Sequence, residues 1–141
     1  MTAYGSHMTS LESLARDLVR IGSVNPMGRG LEGPTVGEAR LGDYIERFFT
    51  KIGVPCERQH VAAGRDNIIA RISWPGSGPM VLLEAHQDTV PDDGMSVPAF
   101  DGEIRDGKLY GRGACDVKGG LGPSWRSWNG WLRSGREGRP Q

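Results

Sequence analysis

The run Met80-Val81-Leu82-Leu83, interrupted only by Glu84 before Ala85, constrains this chain more than any other stretch. An apolar segment without polar alternation is the pattern of a central strand covered on both faces, so it calls for a layer on each side of a sheet. Two helices are available as layers. Leu11, Leu14, Ala15, Leu18 and Val19 recur at i, i+3, i+4, i+7 and i+8, and the stripe stops at Gly22. Thr9-Ser10-Leu11-Glu12 in front of it has the spacing of a capping box. Leu41, Tyr44, Ile45, Phe48, Phe49 and Ile52 repeat the pattern, and Gly53 is placed to take the left-handed C′ position.

Strand patterns follow the helices. Residues 54–61 form a weak one that Pro55 confines to an edge or a strand start, and residues 67–72 form a better one. Residues 74–79, rich in Pro and Gly, turn the chain. Glu103 to Tyr110 reads as a hairpin, because Asp106-Gly107 accepts the positive φ of a type I′ turn. A further helix is due to start near Lys118. This order predicts an α/β fold class, helices layered on a mixed sheet.

A length of 141 residues supports one domain. The 17 basic and 17 acidic side chains cancel, which argues against a polybasic nucleic-acid binder. Cys56 and Cys115 are too few for a disulfide framework. No apolar run is long enough to span a bilayer, and the first residues lack a signal-peptide pattern. These features predict a soluble, cytoplasmic protein.

Two stretches carry chemistry. Directly after the apolar run comes Glu84-Ala85-His86-Gln87-Asp88-Thr89-Val90-Pro91. In extended chain residues two apart point the same way, so His86 and Asp88 converge at the strand's carboxyl end. A metal-ligating imidazole normally donates its other N–H to a carboxylate, and this spacing suits that pairing. The second stretch is Gly111-Arg112-Gly113-Ala114-Cys115-Asp116-Val117-Lys118-Gly119-Gly120. Its glycines allow close backbone approach, and Asp116 stands where a helix dipole favours a carboxylate. Each stretch alone has a plainer explanation: a surface His–Asp pair, and an Asp capping a Gly-rich turn. Cys115 reads as a small buried side chain, His60 as solvated, Asn25 as the start of an Asn-Pro turn more than as a residue facing substrate, and Lys118 as either a site-edge donor or a surface cation.

Taken together, the two motifs resemble the dinuclear-zinc peptidase and deacylase family, which includes acetylornithine deacetylase, succinyl-diaminopimelate desuccinylase, aminoacylase and glutamate carboxypeptidase. Supporting text surrounds them at residues 18–26 and 102–110, so the resemblance covers about residues 9 to 121. It implies the N-terminal part of an incomplete catalytic domain with a zinc-exopeptidase-like fold. It implies two zinc ions, or cobalt in their place, with His86 a ligand of the first and Asp116 bridging both. Asp88 would orient His86, and the Asp116-Val117 peptide would be cis. The implied activity is hydrolysis of amide bonds in N-acyl amino acids or short peptides, and the whole family members form homodimers. Ala85 departs from the family, which often has Gly there.

Beyond Asp116 the chain holds Glu137 as its only acid and no His, so the family's glutamate base and remaining ligands have no counterpart. Residues 1–8 read as a disordered leader, 9–121 as the catalytic-domain part and 122–141 as an aberrant, disordered tail. That tail is dominated by Gly, Pro, Ser and Arg, and no helical stripe is expected in it. Read in the third-base register from Gly122, its codons are compatible with an apolar helix, which predicts a frameshifted, truncated and inactive chain. The competing expectation is a non-catalytic protein whose interleaved Trp and Arg bind nucleic acid or a membrane surface. The enzyme assignment instead expects a small-molecule substrate, no nucleic acid and no membrane.

Overall fold

The computed structural model describes residues 10–73, 79–122 and 124–125. Helix α1 (Leu11–Arg20) begins one residue later than the capping-box spacing suggests. Its N-cap is Ser10, extended at φ −61° and ψ 155°, whose hydroxyl accepts from the Ser13 N–H at 3.0 Å. Thr9 lies outside the described residues. With Glu12 in the first turn and Arg20 in the last, the charges suit the helix dipole. Leu14, Leu18 and Val19 form the buried stripe.

Helix α2 (Ala39–Lys51) buries Leu41, Ile45 and Phe49. Its end is a Schellman motif. Gly53, at φ +74°, donates to the Thr50 carbonyl at 3.0 Å, and Val54 donates to that of Phe49 at 2.9 Å. Val54 then joins Phe49 in the core, which is the apolar contact this cap needs.

Two antiparallel hairpins are the sheets among the described residues. Strand β1 (Cys56–Ala62) pairs with β2 (Arg65–Ala70), Cys56 opposite Ala70 and Gln59 opposite Asn67, with an irregularity between His60 and Ala62. Ile68 and Ala70 turn their partly buried side chains onto α2. Strands β3 (Glu103–Arg105) and β4 (Lys108–Tyr110) flank Asp106 and Gly107, both with positive φ as a type I′ turn requires. The architecture is thus a mixture of helices and small antiparallel sheets. Among the described residues parallel pairing occurs only as single bridges, where Val24 meets both Val36 and Thr89.

The apolar run departs from expectation. Residues 80–85 form no strand, and Met80 and Leu82 are 92% and 79% exposed. The physical reason is pairing: the strands of each hairpin pair only with one another, and among the described residues no strand lies alongside this run.

The segment after Asp116 also differs. Helical turns run from Lys118 to Gly122, and Ser124 and Trp125 are helical as well, so the expected loss of helix at Gly122 does not occur there. Leu121 and Trp125, four residues apart, are both buried in the core with Leu14, Leu18, Leu41, Ile45 and Phe49. The Trp125 ring lies 5.1 Å from that of Phe48 and 5.6 Å from that of Phe49. Gly122 lets this helix approach α1, since a Cβ there would stand 3.2 Å from Leu11 Cδ1. The leader and residues 126–141 lie outside the described residues. Among the described residues no helix is long and apolar enough to cross a membrane.

Candidate metal centre

Three loops build the site, and backbone hydrogen bonds fix two of them together. Thr89 donates to the Ser23 carbonyl at 2.9 Å, and Asn25 donates to that of Thr89 at 2.8 Å. The Ser23 hydroxyl donates to the Gln87 carbonyl at 2.7 Å, and the Gln87 amide donates to that of Asp66 at 2.7 Å. The segment bearing His86 and Asp88 is therefore tied to the loop after α1 and to β2.

The third loop carries Asp116. Gly111, at φ +144°, passes so close to α1 that a Cβ would meet Val19 Cγ1 at 2.5 Å. Arg112 donates to the Ala99 carbonyl at 2.7 Å, and Lys118 to that of Gly113 at 2.9 Å. Lys118 is fully buried, and its ammonium donates to the Ile21 carbonyl at 2.7 Å, at the end of α1. Burial, reinforced by the charge of Arg40, pushes its pKa down to about 8. Of the two alternatives for Lys118, the surface cation is not observed; it is a hydrogen-bond donor, and its bond fastens the Asp116 loop to the end of α1. The Asp116-Val117 peptide is cis.

These loops bring the three sequence-predicted residues together. His86 Nε2 lies 3.0 Å from Asp116 Oδ1. Its Nδ1 lies 2.8 Å from the Asp88 carbonyl oxygen and 3.3 Å from Asp88 Oδ1. The hydrogen bond to Asp116 is the main cause that raises the His86 pKa above its usual value. Partial burial opposes it, and the Asp88 carbonyl and the two carboxylate charges add to it. A proton on Nε2 would lie on the line between imidazole and carboxylate that a cation would take in its place. His86 is half exposed and Asp116 86% exposed, so this line opens to solvent.

As a donor set, a neutral imidazole and an adjacent carboxylate suit zinc or a similar divalent metal. They fit as part of a centre. Among the described residues no group of three or more His, Cys, Asp or Glu is arranged to hold a metal ion. Cys115 is a free, exposed thiol, contrary to the buried side chain expected. His60 is exposed as expected and pairs with Asp66 at 3.0 Å.

Two residues outside the motifs support the site. Asn25 does start its turn, with Oδ1 accepting from the Met27 N–H at 2.9 Å, but its amide also donates to Asp88 Oδ2 at 2.7 Å. Arg65, from the start of β2, faces the same oxygen at 3.4 Å. No sequence signal marks Arg65, because its reach depends on the hairpin's register.

Residues 82–123 match the model of peptidase family M20/M25/M40. The chain is 38% identical over 121 residues to the succinyl-diaminopimelate desuccinylase of Bradyrhizobium diazoefficiens, an alignment covering 81% of this chain and 28% of that protein. It is 35% identical over 141 residues to the protein of that name from Bradyrhizobium sp. strain BTAi1, covering 95% and 33%. It is 42% identical over 120 residues to that of Nitrobacter hamburgensis, covering 80% and 28%. The chain therefore spans between a quarter and a third of the length of these curated relatives.

Proposed function

This chain belongs to the M20/M25/M40 peptidase family, and from that premise we propose that it carries part of the metal centre of a zinc-dependent hydrolase of amide bonds in N-acyl amino acids. The single observation that carries this is the approach of His86 Nε2 to Asp116 Oδ1 at 3.0 Å, with Asp88 behind the imidazole. His86 and Asp116 would hold the metal, Asp116 as the carboxylate shared between two ions. Bound there, zinc would supply a polarised carbonyl and a water acidified toward neutrality. This chain's residues contribute orientation: the Asp88 carbonyl oxygen lies 2.8 Å from Nδ1, and by accepting a proton there it would fix the ring and leave Nε2 for the metal. The names of the relatives favour a succinylated diamino acid as the substrate. Cytoplasmic location and homodimerisation of the whole protein belong to the same proposal.

Two donors are fewer than the three or four protein ligands of a zinc site, so zinc should bind weakly and the chain by itself should not turn over substrate. Calorimetric titration of the full chain with zinc tests the reading. Uptake should fall at least tenfold in His86→Ala; equal uptake by both chains would remove His86 from the centre. Among the described residues, the alternative of a Trp-rich binding tail draws no support from Trp125, which is buried against Phe48 and Phe49 instead of being offered to a partner.

A further inference from the structure

Asp88 stands between the His86 imidazole and two donors that arrive from distant parts of the chain. Its Oδ1 faces His86 Nδ1 at 3.3 Å. Its Oδ2 accepts from Asn25 Nδ2 at 2.7 Å and faces Arg65 at 3.4 Å. Neither donor is free to swing. Asn25 accepts at Oδ1 from the Met27 N–H at 2.9 Å, which decides which end of its amide meets Asp88. Arg65 donates from Nε to Glu38 Oε1 at 2.8 Å, and Glu38 is buried at the start of α2.

We propose that Asn25 and Arg65 are positioning residues that lock the Asp88 carboxylate, so that His86 keeps its Nδ1 proton toward Asp88 and turns its Nε2 lone pair toward Asp116. The proposal rests on the reading of His86 as a metal ligand. The physical logic is one of available lone pairs. A carboxylate with one oxygen engaged by an amide and a guanidinium has the other left for the imidazole. An imidazole that donates from one nitrogen presents a lone pair on the other, which is the state a metal needs. The Asp88 backbone carbonyl holds Nδ1 at 2.8 Å and the carboxylate adds its charge at 3.3 Å; an unrestrained Asp88 side chain could rotate away and leave the carbonyl without that charge.

Nitrogen NMR of the histidine rings in the metal-free full chain, at alkaline pH where the rings are neutral, reads the tautomer directly. Asp116→Ala serves as the background, because Asp116 competes for a proton on Nε2. In that background His86 should be chiefly the Nδ1–H form. Adding Asn25→Ala should lower the Nδ1–H population at least twofold, Arg65→Ala should lower it less, and Arg65→Lys should restore most of it. Unchanged amide signals from the β3–β4 hairpin would show that the fold persists. If Asn25→Ala disturbs that hairpin, Arg65→Ala alone decides. A His86 ring that is chiefly Nε2–H in the background, or one that ignores Asn25→Ala and Arg65→Ala, overturns the proposal. The zinc titration against His86→Ala stands apart from this. The tautomer can respond where no zinc binds, and zinc can bind through His86 with no response to Asn25→Ala.

Discussion

Tyr44 projects from α2 to α1, where its hydroxyl donates to Asp17 Oδ2 at 3.2 Å. Burial, then the charge of Asp17 and its hydrogen bond, push the phenol up to about 12 from an ordinary 10.0. The sign follows from linkage. The folded chain retains this proton more tightly than the unfolded chain, so the stabilisation is intact below about pH 10 and is lost as pH rises toward about 12. Chemical denaturation of the wild type across that window should show falling stability, and Tyr44→Phe should flatten the fall. At neutral pH the same substitution should cost about 0.5–1 kcal/mol for the lost hydrogen bond. At this scale the motif residues were readable and their supports were not. His86, Asp88 and Asp116 announce themselves by spacing. Lys118 hides its role because burial depends on Gly113, where a Cβ would stand 3.0 Å from Lys118 Cδ. Arg65 reaches Asp88 only through a hairpin whose register local sequence does not encode.

Among the elements, the amphipathic helices and the Asp106-Gly107 hairpin follow from local chemistry, since a 3.6-residue stripe and a positive-φ turn need no distant partner. The helix after Asp116 is the opposite case. Gly119, Gly120, Gly122 and Ser124 oppose helix formation, yet Leu121 and Trp125, four residues apart, both pack into the core with α1 and α2. Tertiary burial outweighs propensity, because an indole sealed against two phenyl rings recovers more than one poor helix former costs. Trp125→Ala should therefore destabilise the chain by about 3 kcal/mol, the low end for a buried aromatic because this site lies at the margin of the core. Denaturation followed by circular dichroism checks this. A loss under about 0.5 kcal/mol, typical of a surface position, would show that the segment contributes nothing to the fold.

At the scale of the molecule, the run Met80–Leu83 combines a demand for cover with none supplied. Its composition asks for layers on both faces, and the described residues do not meet that demand: residues 80–85 form no strand, and no partner strand lies alongside them. Leu82, at 79% exposure, and its neighbours thus present apolar side chains beside backbone groups free to pair. A short, β-prone segment with one charge, Glu84, is a template for pairing between chains. Leu82→Lys places a charge at its centre, which opposes stacking of identical segments. Because the leucine touches little, the substitution should leave unfolding stability within about 0.5 kcal/mol of wild type. Light scattering at matched concentration should fall several-fold, and more so at low salt, where the introduced charges are least screened. Unchanged scattering together with a loss of stability would mean that Leu82 is packed in solution and that another surface drives association. Lower scattering at constant stability would locate the association in this run, whose requirement for cover is the strongest single constraint the sequence places on the fold.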